Sequence, residues 1–205
     1  MFVSGFEPIM TNQHGRWTRL KSTLLLDCAP WFRVFADNVE LPGGRQIEGF
    51  LRIESRPYAV VFAVTDDEQV IFVDGYRYGP DRQSLQLPAG YLEDGEEPEG
   101  CARRELLEET GYEASTWEYM GKFCPDGNRG FGQAHFFLAR GAHARKQQEL
   151  DEMENLTLRA ISIREVQQLL VGAQFGELTA TTGTALALAR LGTWSPRNHG
   201  ASAND

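Results

Sequence analysis

Cysteine is scarce in this sequence. Its 205 residues include only Cys28, Cys101 and Cys124, which lie far apart and form no Cys-x-x-Cys pair. An odd, scattered set supports neither a disulfide framework nor a zinc site built from cysteines. We therefore expect reduced thiols and a cytoplasmic protein.

Long hydrophobic runs are also missing. No apolar run approaches the ~20 residues that a membrane-spanning helix needs. The stretch Met1 to Arg19 has no basic segment that leads into an apolar one, so we predict no signal peptide. These absences predict a protein without a membrane partner.

Basic residues are in the minority, with 20 Lys and Arg against 29 Asp and Glu, for a formal net charge of -9. A broad anionic surface repels phosphate backbones, so we expect no nucleic-acid partner. A small anionic substrate can still bind if a metal ion or a few arginines supply positive charge locally.

What the chain does contain is enough apolar material for a core, since hydrophobic residues make up 41% and aromatic residues 11% of it. The apolar run Tyr58–Val64 is typical of a strand buried on both faces. Pro98 to Thr110 is predicted to be a helix, with Pro98 in its first turn and Gly111 just past its end. The order of elements predicts an α+β fold, with helices over a mostly β core.

Composition also predicts the organisation of the chain. We expect an N-terminal segment with β-strands over residues 1–53 and a main domain over residues 54–192. Residues 193–205 carry Pro, Asn, Gly and Ser with almost nothing apolar, so we expect a disordered tail there.

The chemistry of the chain is concentrated in residues 88–112, PAGYLEDGEEPEGCARRELLEETGY. On a helix, Glu105, Glu108 and Glu109 crowd towards one side, and like charges at those spacings destabilise it. A hard divalent cation such as magnesium would offset that repulsion, because it prefers oxygen ligands. The simple alternative is an amphipathic helix whose glutamates face water.

The residues around this cluster also fit phosphoryl chemistry, in which magnesium neutralises phosphate oxygens and activates water. Arg104 could orient a carboxylate or meet a phosphate, and Glu96 could pair with Arg104. Gly90 and Gly95 let the backbone of the preceding loop turn sharply and approach a ligand.

The whole pattern resembles the Nudix box. It runs Gly90, five residues, Glu96, seven residues, Arg104-Glu105-Leu106, one residue, Glu108-Glu109, one residue, Gly111. Its one soft departure is Tyr112, where the family usually has an aliphatic residue. So long a match at fixed spacing favours the Nudix interpretation over a solvated helix.

The resemblance implies an α/β/α sandwich around a mixed β-sheet, here with an additional N-terminal β segment. It also implies hydrolysis of a nucleoside diphosphate linked to another group, with Mg²⁺ or, as a substitute, Mn²⁺. Glu105, Glu108, Glu109 and the backbone carbonyl of Ala89 would be the metal ligands. Arg104 and Glu96 would be the supporting pair, and Gly90 and Gly111 would shape the loops.

Outside the box, the chain looks most like the ADP-ribose and nucleotide-sugar pyrophosphatase branch. The stretch Gly75-Tyr-Arg-Tyr-Gly79 resembles the substrate-side strand of that branch, which implies that Arg77 faces phosphate or ribose. The acidic segment Asp151-Glu-Met-Glu154 lies where the branch carries a catalytic glutamate, so Glu152 or Glu154 would be the base. An exposed acidic loop is the alternative. The N-terminal β segment implies a homodimer.

The substrate side departs from the branch. Pro125 comes slightly early, and Asn128-Arg-Gly-Phe-Gly-Gln133 replaces the region where the branch has a glutamate. Arg129 or Gln133 could face the substrate instead. Trp31 and Phe32 could stack on a base, although packing in the core or a dimer is the simpler role for both.

Two other functions stay open. A Nudix-fold sensor would bind a nucleotide sugar without cutting it, but such modules typically lose box glutamates that this chain retains. Cleavage of dinucleoside polyphosphates or nucleoside triphosphates is the second, and the chain length and N-terminal β segment argue against it.

Overall fold

The computed structural model describes residues 15–150 and 155–193. The helices of this described part are α1 (Pro98–Thr110), α2 (Ile163–Val171) and α3 (Leu178–Arg190). Its strands are β1 (Thr18–Cys28), β2 (Phe32–Glu40), β3 (Gln46–Ser55), β4 (Tyr58–Val64), β5 (Gln69–Arg77), β6 (Arg82–Gln86), β7 (Ala89–Tyr91), β8 (Tyr112–Glu113), β9 (Thr116–Phe123), β10 (Ala134–Arg140), β11 (His143–Ala144) and β12 (Leu156–Ser162).

The central sheet is mixed. Its main path runs β12-β5-β4-β10-β9, with β6 paired to β5 and β7 paired to β4. Strands β4 and β10 are parallel, whereas β5 is antiparallel to both β4 and β12. β4 is buried from Ala59 to Val64 because the sheet is covered on both faces there.

Helices cover both faces of this sheet. On one face, Cys101, Ala102 and Leu106 of α1 pack with alternate residues of β4 such as Val61. On the other face, α2 and α3 pack against the remaining β4 residues, which include Phe62. The α+β sandwich around a mixed sheet that the sequence predicts is confirmed.

Strands β1, β2 and β3 form a separate antiparallel sheet. The turn between β2 and β3 closes with a hydrogen bond from Leu41 N to Arg45 O at 2.8 Å, and Gly43 and Gly44 take positive φ there. The described part of Met1–Arg56 forms one compact unit with Pro125–Gly132. Within it, Ile53 N donates to Arg129 O at 2.8 Å.

The second unit comprises Pro57–Cys124 and the described part of Gln133–Asp205, and it contains the central sheet and all three described helices. The domain boundary between residues 53 and 54 stays a prediction, as does the tail, nearly all of which lies outside the described residues. No helix in residues 15–150 and 155–193 is long and apolar enough to span a membrane.

Candidate active site

Helix α1 begins and ends where the sequence predicts. Pro98 lies in its first turn, and Gly111 ends it with φ 75° and donates its N–H to Leu107 O at 2.9 Å. The face that packs on the sheet carries apolar residues together with Glu105 and Glu109. These two carboxylates are therefore 8% and 4% exposed, although glutamate is rarely buried without a partner.

Gly90 gives the Glu105 carboxylate its place. Gly90 is the middle residue of β7, and a Cβ atom built on it would overlap the Glu105 carboxylate. Only a residue without a side chain allows the helix to bring this carboxylate so close to the strand. Gly90, which the sequence predicts to shape the loop, therefore leaves the space that the Glu105 carboxylate occupies.

Glu109 is attached to the same strand, β7, through the backbone of Ala89. Its Oε2 atom accepts a hydrogen bond of 2.9 Å from the backbone N–H of Ala89. Hydrogen bonds from N–H groups to carboxylates are among the stronger ones, so this contact ties the last turn of α1 to β7. The carbonyl of Ala89 as a metal ligand remains a proposal.

Arg104 connects the box carboxylates. Its Nε and Nη2 atoms each donate 3.0 Å hydrogen bonds to Glu96, and Nη1 donates to Glu105 at 2.7 Å and to Glu108 at 3.1 Å. Hydrogen bonding to Glu96, which outweighs burial, raises the pKa of Arg104, so this guanidinium stays charged. The same hydrogen bonds, donated by Arg104, are the main cause that lowers the pKa of Glu96.

The donor set fits a hard divalent cation. Three box carboxylates, those of Glu96, Glu105 and Glu108, bond to the one Arg104 guanidinium, which leaves an excess of negative charge beside the sheet, and Glu105 and Glu109 are buried. Carboxylate oxygens are the ligands that magnesium prefers. Within residues 15–150 and 155–193, however, no three His, Cys, Asp or Glu side chains converge as a ready-made metal cage. Arg104 instead occupies oxygens of Glu105 and Glu108.

The predicted substrate residues fall in both units. Arg77 ends β5 in the second unit, where its Nε lies 3.9 Å from Glu177 Oε1 and its side chain is 45% exposed. Trp31 and Arg129 belong to the first unit, and both are exposed. Glu152 and Glu154 lie outside the described residues.

One group of contacts has no counterpart in the sequence prediction. Residues 145–149 lie against the end of α1, and the Gln148 side-chain amide donates to the backbone carbonyl of Glu109. Local patterns carry no signal for this contact, because it joins residues 39 positions apart and uses a backbone carbonyl that every residue possesses.

Comparison with known proteins places the chain among its relatives. The chain is 35% identical to the ADP-ribose pyrophosphatase of Bacillus subtilis over 139 residues, which cover 67% of this chain and 74% of that protein. It is 34% identical over 136 residues to the methanol dehydrogenase activator of Bacillus methanolicus, covering 65% and 72% of the two chains. With the ADP-sugar pyrophosphatase of Mus musculus, identity is 46% over 114 residues, or 55% of this chain and 50% of that one.

A solved structure shares the fold. The crystal structure of an ADP compounds hydrolase matches with a TM-score of 0.74 at 21% identity, covering 87% of this chain and 95% of that one. The NUDIX domain family model matches residues 54–180, which contain the complete box and the central strands β4, β5 and β10. The chain therefore belongs to the Nudix family.

Proposed function

We propose that this protein hydrolyses the pyrophosphate bond of a nucleoside diphosphate sugar, with ADP-ribose the foremost candidate, in a reaction that depends on Mg²⁺. The products are a nucleoside monophosphate and a sugar phosphate. The observation that carries the proposal is the pair of buried carboxylates, Glu105 and Glu109, fitted against Gly90 and Ala89. Two of the relatives above are named for ADP-ribose and ADP-sugars.

In this proposal, Glu105, Glu108, Glu109 and the carbonyl of Ala89 hold the cation, and Mn²⁺ can substitute for it. When bound, the cation neutralises phosphate oxygens and makes water a better nucleophile. Because Arg104 bonds Glu96 through Nε and both Glu105 and Glu108 through Nη1, it holds these three carboxylates in fixed positions.

The chain supplies two further functions to the reaction. Arg77 adds positive charge for the diphosphate, and its half-exposed guanidinium is available to a ligand. The carboxylate of Glu152 or Glu154 accepts the proton of the attacking water as general base. For the first unit, we propose Trp31 and Arg129 as substrate contacts, supported by the exposure of both side chains.

The test is phosphate release from a substrate panel, with a phosphatase added to liberate phosphate from the products. ADP-ribose, ADP-glucose, GDP-mannose, NADH, diadenosine polyphosphates and nucleoside triphosphates are compared with Mg²⁺ and with EDTA. Metal-dependent turnover of one nucleotide sugar well above the rest is expected. Preference for diadenosine polyphosphates or nucleoside triphosphates would show that the substrate is not a nucleotide sugar. Tight binding without turnover would indicate a sensor.

We also propose that the protein is a homodimer that forms through the β1–β3 sheet. All of β1 except its last residue is exposed, and it presents leucines on both of its faces. These leucines, with their exposed fractions, are Leu20 (48%), Leu24 (48%), Leu25 (57%) and Leu26 (47%). Several large apolar side chains exposed on one strand support an interface there, because water solvates them poorly.

Sedimentation velocity tests the dimer. Leu25→Glu should shift the protein towards monomer, because it introduces a charge into the proposed interface. The control is Leu178→Glu, which changes an exposed leucine on α3 and should leave the assembly unchanged. A monomeric wild-type protein at micromolar concentration would contradict the proposal.

A further inference from the structure

The carboxyl end of helix α1 requires hydrogen-bond donors from elsewhere. The last four carbonyls of a helix have no partner within it, and here they include those of Glu108 and Glu109. Gly111 supplies one donor, to Leu107 O at 2.9 Å. The carbonyls of two proposed metal ligands therefore depend on groups outside the helix.

Residues 145–149, which we call the capping segment, supply those donors. The backbone N–H of Glu149 donates to Glu108 O at 2.9 Å, and the side-chain amide of Gln148 donates to Glu109 O. The N–H groups of Arg145 and Lys146 both donate to Gly111 O, at 2.8 and 3.1 Å.

The capping segment lies tightly against the helix end. A Cβ atom on Gly111 would overlap the backbone carbonyl of Lys146, and the φ of 75° at Gly111 is itself unfavourable for other residues. The backbone approach that glycine permits fixes the position of Gln148 along the helix end. Gln148 contacts the helix end through its side chain, whereas Arg145, Lys146 and Glu149 contact it through their backbone N–H groups.

We propose that Gln148 is a positioning residue that holds the metal-binding carboxylate of Glu109 in place through the Glu109 backbone carbonyl. The inference rests on the proposed function. Glu109 is held at two points, because Gln148 bonds its carbonyl and the Ala89 N–H bonds its carboxylate. Glu152 and Glu154, the proposed bases, follow Gln148 by four and six residues in the sequence.

The neighbouring glutamine provides a matched control. Gln147 is exposed, whereas Gln148 is partly buried against the helix. Gln148→Met keeps the length of the side chain but removes its N–H donor, and Gln147→Met makes the same chemical change one residue away. Gln148→Leu removes the donor with a different shape.

The measurement is Mn²⁺ binding without substrate, followed by the loss of the free-ion electron paramagnetic resonance signal. Because one hydrogen bond contributes modestly to the order of a helix end, Gln148→Met and Gln148→Leu should weaken Mn²⁺ binding about threefold to tenfold. Gln147→Met should bind as the wild type does. Thermal unfolding in EDTA checks that the four proteins are equally folded, and KM for the nucleotide should change less than the Mn²⁺ affinity.

Equal Mn²⁺ affinity in the Gln148 and Gln147 variants would overturn the proposal while leaving the proposed hydrolase intact. If the wild-type protein bound no Mn²⁺ and hydrolysed nothing on the substrate panel, the proposed function itself would be overturned, and the positioning role with it. Mn²⁺ binding and turnover by the wild-type protein therefore show whether the proposed function has failed or only the positioning role of Gln148.

Discussion

Gly90 and Glu105 fit each other so closely that any side chain at position 90 would displace the carboxylate. Gly90 belongs to β7, which pairs with β4, and Glu105 belongs to α1, which packs on the same sheet. The strand and the helix are both fixed by the core, so neither can move away cheaply. The position of this carboxylate is therefore set by the fold.

The first prediction concerns that fit. Gly90→Ala should lower kcat/KM by about a hundredfold, because a displacement of about 1 Å at a catalytic group has an effect of that size. Steady-state kinetics on the preferred nucleotide sugar measures it. Gly100→Ala is the control, since a Cβ there meets the nearest atom, Glu96 Cγ, at an ordinary 3.7 Å. Equal activity of the two variants would refute the close fit as a functional constraint.

The second prediction concerns the charge of Glu109. Glu109→Gln should reduce turnover at least about a hundredfold with little loss of folding, since it removes ligand charge and like-charge repulsion together. Kinetics and thermal unfolding are measured on the same preparation. Glu99→Gln changes an exposed glutamate of the same helix that pairs with Arg103, and it should stay near wild type. Wild-type activity in Glu109→Gln would eliminate the assignment of Glu109 as a metal ligand.

The third prediction concerns stability against pH. Hydrogen bonds from Arg104 lower the pKa of Glu96 below the ordinary value of 4.5 in the folded protein. This ion pair therefore stabilises the fold fully above pH 4.5, and its contribution is lost as the pH falls through the lower, folded-state pKa. Glu96→Gln should lower the free energy of unfolding by roughly 1–2 kcal/mol at neutral pH.

Urea unfolding of both proteins at neutral pH and in acid, with EDTA present, measures this difference. The gap between wild type and Glu96→Gln should shrink in acid, where Glu96 becomes protonated. A gap that stayed constant with pH would mean that the carboxylate charge contributes nothing to the pairing.

The fourth prediction concerns thiol reactivity. Burial, together with the nearby charges of Glu105 and Glu96, raises the pKa of Cys101 to about 12. Cys124 is exposed and Cys28 is intermediate. Because the thiolate is the reactive form, Cys101 should not react with an aromatic disulfide reagent until the protein unfolds. Cys124→Ser should remove the fastest phase of absorbance change, and a persistent fast phase would contradict this order of reactivity.

The local pattern of residues was sufficient for the main elements. The helix Pro98–Thr110 and the strand Tyr58–Val64 have the bounds that the sequence predicts. Proline and glycine punctuate the helix, and a continuous apolar run marks a strand buried on both faces, so the signals are local. The spacing of the box likewise predicts which glutamates share a face of α1.

Very short strands and contacts between residues distant in the sequence could be seen only in the tertiary structure. The strand β7 has three residues, too few for any periodicity, yet it brings Gly90 to Glu105 and Ala89 to Glu109. The hydrogen bond from Gln148 to the Glu109 carbonyl joins residues 39 apart and uses a backbone acceptor. The sequence by itself determined which carboxylates this protein carries on one helix face. Only the tertiary structure decided what holds them there, because those contacts depend on which strand and which distant segment pack against the helix.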